Sequence, residues 1–243
     1  MKKKKFFIIF CIIILDIFLI IGFLVIRDSI SFNSLKNEVE ELSKLDITKD
    51  RYNRKIKSTG DYAKVESAIK DYLDDYAVKI QHLSKMMNDN KLSTILSYDN
   101  YVADGPNFNN SLDYLEKSKK EYNEVINQLL VNLDDENINN YIYTKIKDPY
   151  YVSLYQELIF KTEMIDTLDN TRVLLEESKT KMNNIYDTCI ETLNYLKLYQ
   201  NKWKLEDGEI KFQDDDMLNY YSSLVSRVNE KKRWVIIFFK LQS

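Results

Sequence analysis

The chain has 243 residues, 30% of them charged, and a formal charge of −3. Its 4 Gly and 2 Pro are too few for the tight turns of an all-β protein. An acidic body is repelled by phosphate backbones, so nucleic acid is not an expected partner.

The N-terminus opens with Lys2, Lys3, Lys4 and Lys5 and then an apolar run, Phe6 to Ile26. Those 21 residues carry one charge and, as a helix, span roughly 30 Å, the thickness of a bilayer core. Phe6, Ile13, Asp16, Ile20 and Ile26 mark this span. A cleaved signal peptide has a shorter apolar region and a small-residue cleavage site, so the run reads as a retained signal anchor. The four lysines place the N-terminus in the cytoplasm and everything after Arg27 outside. Asp16 sits mid-run, where a carboxylate costs roughly 2.5–3.5 kcal/mol. Either it pairs with a polar group on a partner's transmembrane helix, or a very apolar helix tolerates it.

Beyond the anchor, Phe32, Leu35, Val39 and Leu42 fall on one helical face and predict a stalk. A polar, basic connector follows over Thr48–Ser58, then Thr59-Gly60 as a turn, with Asp61 as the expected N-cap. From Asp61 to about Asn88, Val65, Ile69, Tyr72, Tyr76, Ile80, Leu83 and Met87 recur at steps of three and four. Lys64, Glu66, Lys70, Asp74 and Asp75 occupy the other faces, so one buried stripe is expected. Leu92, Ile95 and Leu96 suggest a short helix ending at Asp104-Gly105-Pro106. A long helix follows from about Asn107 to Leu133 on Phe108, Leu112, Leu115, Tyr122, Ile126, Leu129 and Leu133, with Lys119 at one core-phase position.

Glu136 to Ile146 reads as another short helix, and Asp148-Pro149 as a helix start with Asp at the N-cap. The last long pattern repeats every seven residues on Leu168, Leu175, Met182, Cys189 and Leu196. Thr171, Ser178, Ile185, Thr192 and Tyr199 follow at an offset of three, a bundle or coiled-coil seam. Trp203 to Phe212 alternates instead, and Asp207-Gly208 predicts a two-residue hairpin loop pairing Leu205 with Ile210 and Trp203 with Phe212. Such a hairpin is too small to stand alone and is expected to cover one end of the bundle. Asp214–Asp216 open a final helix to about Lys231. The closing apolar segment 234–239 reads as core, an edge strand or a membrane-touching surface.

Chemistry-bearing patterns are sparse. His82 is the one histidine and reads as a boundary residue, and Cys189 as a core residue. Asn100–Gly105 resembles the start of a calcium loop, but Val102 and Ser111 fall where ligands are needed. The four glycines are too scattered for a phosphate loop. Tyr141, Tyr143, Tyr150, Tyr151 and Tyr155 form a cluster that is either an interaction surface or core filling.

The expectation is an all-α protein: a single transmembrane helix followed by an elongated multi-helix bundle with one small β-hairpin near 203–212. Residues 1–27 are the lysine tail and anchor, 28–60 the stalk and connector, and 61–243 the extracytoplasmic bundle. The expected role is non-enzymatic, a scaffold or protein-interaction role at a bacterial cell envelope, with no cofactor, no metal and an envelope protein as partner. The alternatives are a sensory or ligand-binding bundle working with a membrane partner, which leaves a small-molecule ligand open, and an envelope hydrolase.

Overall fold

The computed structural model describes residues 26–45, 53–160 and 164–240, and within them the chain is mostly helical with one antiparallel hairpin. Helix α1 covers 26–43. It is followed by α2 (Gly60–Met87), α3 (Asn90–Thr94), α4 (Tyr98–Asp104), α5 (Asn109–Asn132), α6 (Asp135–Tyr143), α7 (Pro149–Phe160) and α8 (Met164–Leu198). Strands β1 (Trp203–Glu206) and β2 (Glu209–Phe212) precede α9 (Asp215–Lys240). Among the described residues no helix is long and apolar enough to cross a membrane. The run from Phe6, with Ile13, Asp16 and Ile20, and the lysines Lys2–Lys5 lie outside the described residues; Ile26 is where description begins.

The chain divides into two compact units, Met1–Ala77 with Asp134–Ile165 and Val78–Leu133 with Asp166–Ser243. In the first unit, Leu35, Val39 and Leu42 of α1 are buried, as are Tyr62, Val65, Ile69 and Tyr72 of α2. Leu35, Val39 and Leu42, in the stretch read as stalk, thus supply core to this unit. Ser31 Oγ donates to Thr59 O at 2.8 Å and accepts from Thr59 N at 2.8 Å. Ile138 and Ile142 of α6 and Val152, Tyr155 and Ile159 of α7 complete the apolar set. The Asp148 carboxylate caps α7 by accepting from Tyr150 N at 2.9 Å, as the Asp-Pro pair predicts.

One expectation for α2 needs correction. Glu66 and Lys70, read as part of a solvated face, are 0% and 3% exposed. The helix therefore buries two faces in this unit, one apolar and one ionic.

In the second unit the seam of α8 is buried at Leu175, Ser178, Met182, Ile185, Cys189, Thr192 and Leu196. The repeat fails at its last position, where Tyr199 is exposed. Polar seam members find partners within the unit: Thr192 Oγ1 donates to Thr188 O at 2.7 Å, and Ser178 Oγ meets Tyr122 Oη of α5 at 2.7 Å. The α5 face opposite supplies Leu115, Tyr122, Ile126 and Leu129.

The hairpin register is as the alternation predicts, Trp203 with Phe212 and Leu205 with Ile210. Asp207 and Gly208 both have positive φ, 53° and 81°, the backbone that a two-residue loop of matching twist demands. Trp203 stacks on buried Phe108 and donates from Nε1 to Leu196 O at 2.7 Å, while Phe212 packs on Tyr195 and Tyr221. The hairpin is thereby seated on helices of its own unit. Segment 234–239 is helical, a continuation of α9, so the edge-strand alternative is not realised.

Candidate functional site

The ionic face of α2 is the most concentrated group of buried charge in the first unit. Glu66 accepts from Lys57 N with both carboxylate oxygens at 3.0 Å. It also accepts from Ser58 N at 2.8 Å, Ser58 Oγ at 2.6 Å and Lys70 Nζ at 2.8 Å. Lys70 Nζ further donates to Lys55 O at 2.8 Å and pairs with Glu38 Oε1 at 2.7 Å. Those three acceptors match the three donors of an ammonium. Glu38 Oε2 lies 2.5 Å from Lys57 Nζ, an ion pair without a well-aligned hydrogen bond, and Lys57 also reaches Glu41 at 2.7 Å.

Burial by itself would raise the Glu66 pKa, but Lys70, Ser58 and the Lys57 N–H outweigh it and hold the carboxyl below its ordinary range. The neighbouring carboxylates of Glu38 and Glu41 raise Lys57. Chemically, this is a clamp. Each buried carboxylate is occupied by protein donors, and the bonds join α1, the segment before α2 and α2 itself. Sequence reasoning missed it, although Glu66 and Lys70 stand one turn apart and Ser58 precedes the helix.

The tyrosines divide by burial. Tyr155 is fully buried and donates to Ile138 O at 2.8 Å, so it belongs to the core. Tyr141 is half-buried, edge-on to Tyr72 and bonded to Asp75 Oδ2 at 2.7 Å. Burial and that carboxylate both push its phenol up. Tyr143 and Tyr150 are exposed and Tyr151 is half-buried. Tyr150 and Tyr151 meet edge-to-face at 5.0 Å, and Tyr151 packs edge-on against Tyr62 at 5.2 Å. Tyr62 Oη donates to Asp28 Oδ2 at 3.2 Å and lies 3.5 Å from Tyr150 Oη. Tyr62 and Asp28 were not singled out from the sequence. Tyr62 does continue the stripe of Val65 and Ile69 by one turn.

The second unit carries a shallow concavity of about 440 Å³, lined by residues including Asp89, Lys91, Asp113, Tyr114, Lys117 and Glu121. Its size suits a small ligand, but such sites are ordinarily apolar with a few convergent polar groups. Here the polar groups bond one another: Tyr114 Oη donates to Asp89 at 2.6 Å, Lys117 to Asp113 at 2.8 Å, and Lys91 lies over the Tyr114 ring.

The remaining sequence candidates have structural partners. His82 is exposed and contacts Glu121 at 2.9 Å, and Cys189 is fully buried in the α8 seam. Asn100 and Asp104, the calcium-loop positions, tie α4 to the start of α5: Asp104 accepts from Ser111 N at 2.7 Å, and Asn100 donates to Ser111 Oγ at 3.0 Å. Asp214 caps α9 through Met217 N at 2.8 Å, as helix-start carboxylates do. Among the described residues, no group of three or more His, Cys, Asp or Glu is placed to hold a metal ion.

No family model, curated protein or solved structure matches this chain.

Proposed function

We propose that the chain is a membrane-anchored, extracytoplasmic helical protein with a non-enzymatic scaffold or protein-interaction role at a bacterial envelope. The observation that carries the reading is the junction at Ile26. The apolar run from Phe6 leads at Ile26 into α1, and α1 is bonded into the first unit through Ser31 and Glu38. A span continued by such a helix would hold the unit near the bilayer without a loose tether. Exposed Tyr143 on α6 suits recognition, because a tyrosine offers a large rigid surface with a polar tip.

Whole-cell proteolysis tests the topology, and alkaline extraction tests the anchor. The chain should stay in washed membranes and lose its C-terminal portion to external protease. A protected C-terminal portion, or the chain recovered from the medium, overturns the reading. A photo-crosslinking residue at position 143 should then capture a discrete envelope protein in living cells; no adduct would remove the interaction role.

A further inference from the structure

Ile26 and Ile30 are 61% and 64% exposed, and four residues apart they share one face of α1. Exposed apolar side chains at that spacing prolong the apolar character of the run beyond its last residue. At 1.5 Å per residue, Ile30 lies about 6 Å along the helix from Ile26. The polar layer on each side of a bilayer core is about 5–8 Å thick, so Asp28 and Ile30 fall within it when the run spans the core. Tyr62 is hydrogen-bonded to Asp28 and packed on Phe32, and Tyr151 and Tyr150 pack beyond it. The Tyr62 and Tyr150 hydroxyls, 3.5 Å apart, therefore lie close to the level of Asp28. Tyr150 is 57% exposed although its ring meets Tyr151. Arg27 is exposed next to this level and long enough to reach a lipid phosphate.

We infer that Tyr62, Tyr150 and Tyr151, together with Ile26, Ile30 and Arg27, form an interfacial collar that seats the first unit on the headgroup layer of the outer leaflet. Tyrosine suits that position because its ring is apolar and its hydroxyl is wet. Ile26 and Ile30 flank that level, about 3 Å to either side of Asp28 along α1. The collar rests on the anchor reading. Its occupant is lipid and not a protein, because the patch adjoins the residue where the apolar run ends. It would fix the height and tilt of the unit above the membrane, a constraint that a single helix alone leaves loose.

The test is spin-label depth measurement on the full chain with Cys11→Ser. The chain is reconstituted in vesicles of phosphatidylethanolamine and phosphatidylglycerol. Cys189 is buried and protected from the label. Labels are placed singly by Ile13→Cys, Ile30→Cys, Tyr150→Cys and Lys44→Cys, the last near the far end of α1. Collisions with a water-soluble nickel chelate should be lowest at 13 and highest at 44. At 30 and 150 they should be at least about twofold below those at 44, as interfacial residues require. If 13 is deep while both 30 and 150 equal 44, the collar is overturned and the anchor stands. If 13 is as accessible as 44, the anchor reading fails and the collar with it. Two reporters at the collar guard against one substitution disturbing its neighbours.

Discussion

Lys70 and Glu66 stand one turn apart on α2, 2.8 Å from each other, and neither reaches solvent. Glu38 of α1 joins them from 32 residues earlier in the chain, so the pair is completed only when the two helices dock. An isolated i,i+4 pair on a helix surface contributes a few tenths of a kcal/mol. Buried, the same pair becomes a condition for docking, because either partner alone is an uncompensated charge.

Replacing Lys70 with Met should therefore destabilise the protein by about 3–5 kcal/mol, the cost of stranding buried carboxylates. Lys117→Met, which removes an exposed pair with Asp113, should change stability by less than about 1 kcal/mol. Urea unfolding of the full chain in detergent, followed by helical circular dichroism, measures both. Equal midpoints for the two variants would contradict the buried clamp.

The clamp also predicts an acid limb. The Glu66 pKa is lowered in the folded protein, so its stabilisation is fully present above its unfolded value of about 4.3. It is lost as pH falls through the lower folded value. Melting temperature should thus drop as pH is taken from 5 towards 3. Glu66→Gln should be less stable than the parent at pH 7 and show a shallower acid limb. Parallel curves for parent and variant would dismiss Glu66 as a contributor.

Gly105 has no room for a side chain. A Cβ there would meet the Tyr101 carbonyl oxygen at 2.5 Å and the Phe108 ring at 3.2 Å. Backbone cannot swing away as a side-chain tip can, so Gly105→Ala should cost about 1–3 kcal/mol. Phe108 beneath it is fully buried and stacks on Trp203, so the intrinsic fluorescence of this variant should report a disturbed Trp203 environment. An unchanged melting temperature and emission spectrum would contradict the crowding.

The α8 repeat makes Leu196 and Tyr199 equivalent seam positions, and the structure separates them. Leu196 is 0% exposed and Tyr199 is 39% exposed. Leu196→Ala should cost about 2–5 kcal/mol through lost burial and the cavity left behind. Tyr199→Ala loses a ring contact with Tyr195 at 5.0 Å and should cost about 1 kcal/mol. Thermal melts of the two variants provide the comparison.

Local pattern was enough for much of this architecture. The steps of three and four in α2 and α5, the seven-residue repeat in α8 and the Asp-Pro start of α7 each need only their own segment. The hairpin register follows from Asp207-Gly208 and two-residue alternation, because a two-residue loop leaves one way to pair the flanking strands.

What required the tertiary structure was every relationship that depends on a distant partner. Hydropathy marks a buried face only when that face is apolar, so the ionic face of Glu66 and Lys70 looked solvated until α1 and the Lys57–Ser58 backbone covered it. Tyr141, Tyr143, Tyr150, Tyr151 and Tyr155 are indistinguishable by type, yet one fills the core and two face solvent. A side chain's sequence states what it can bond to, and only the docking of helices states what lies within reach.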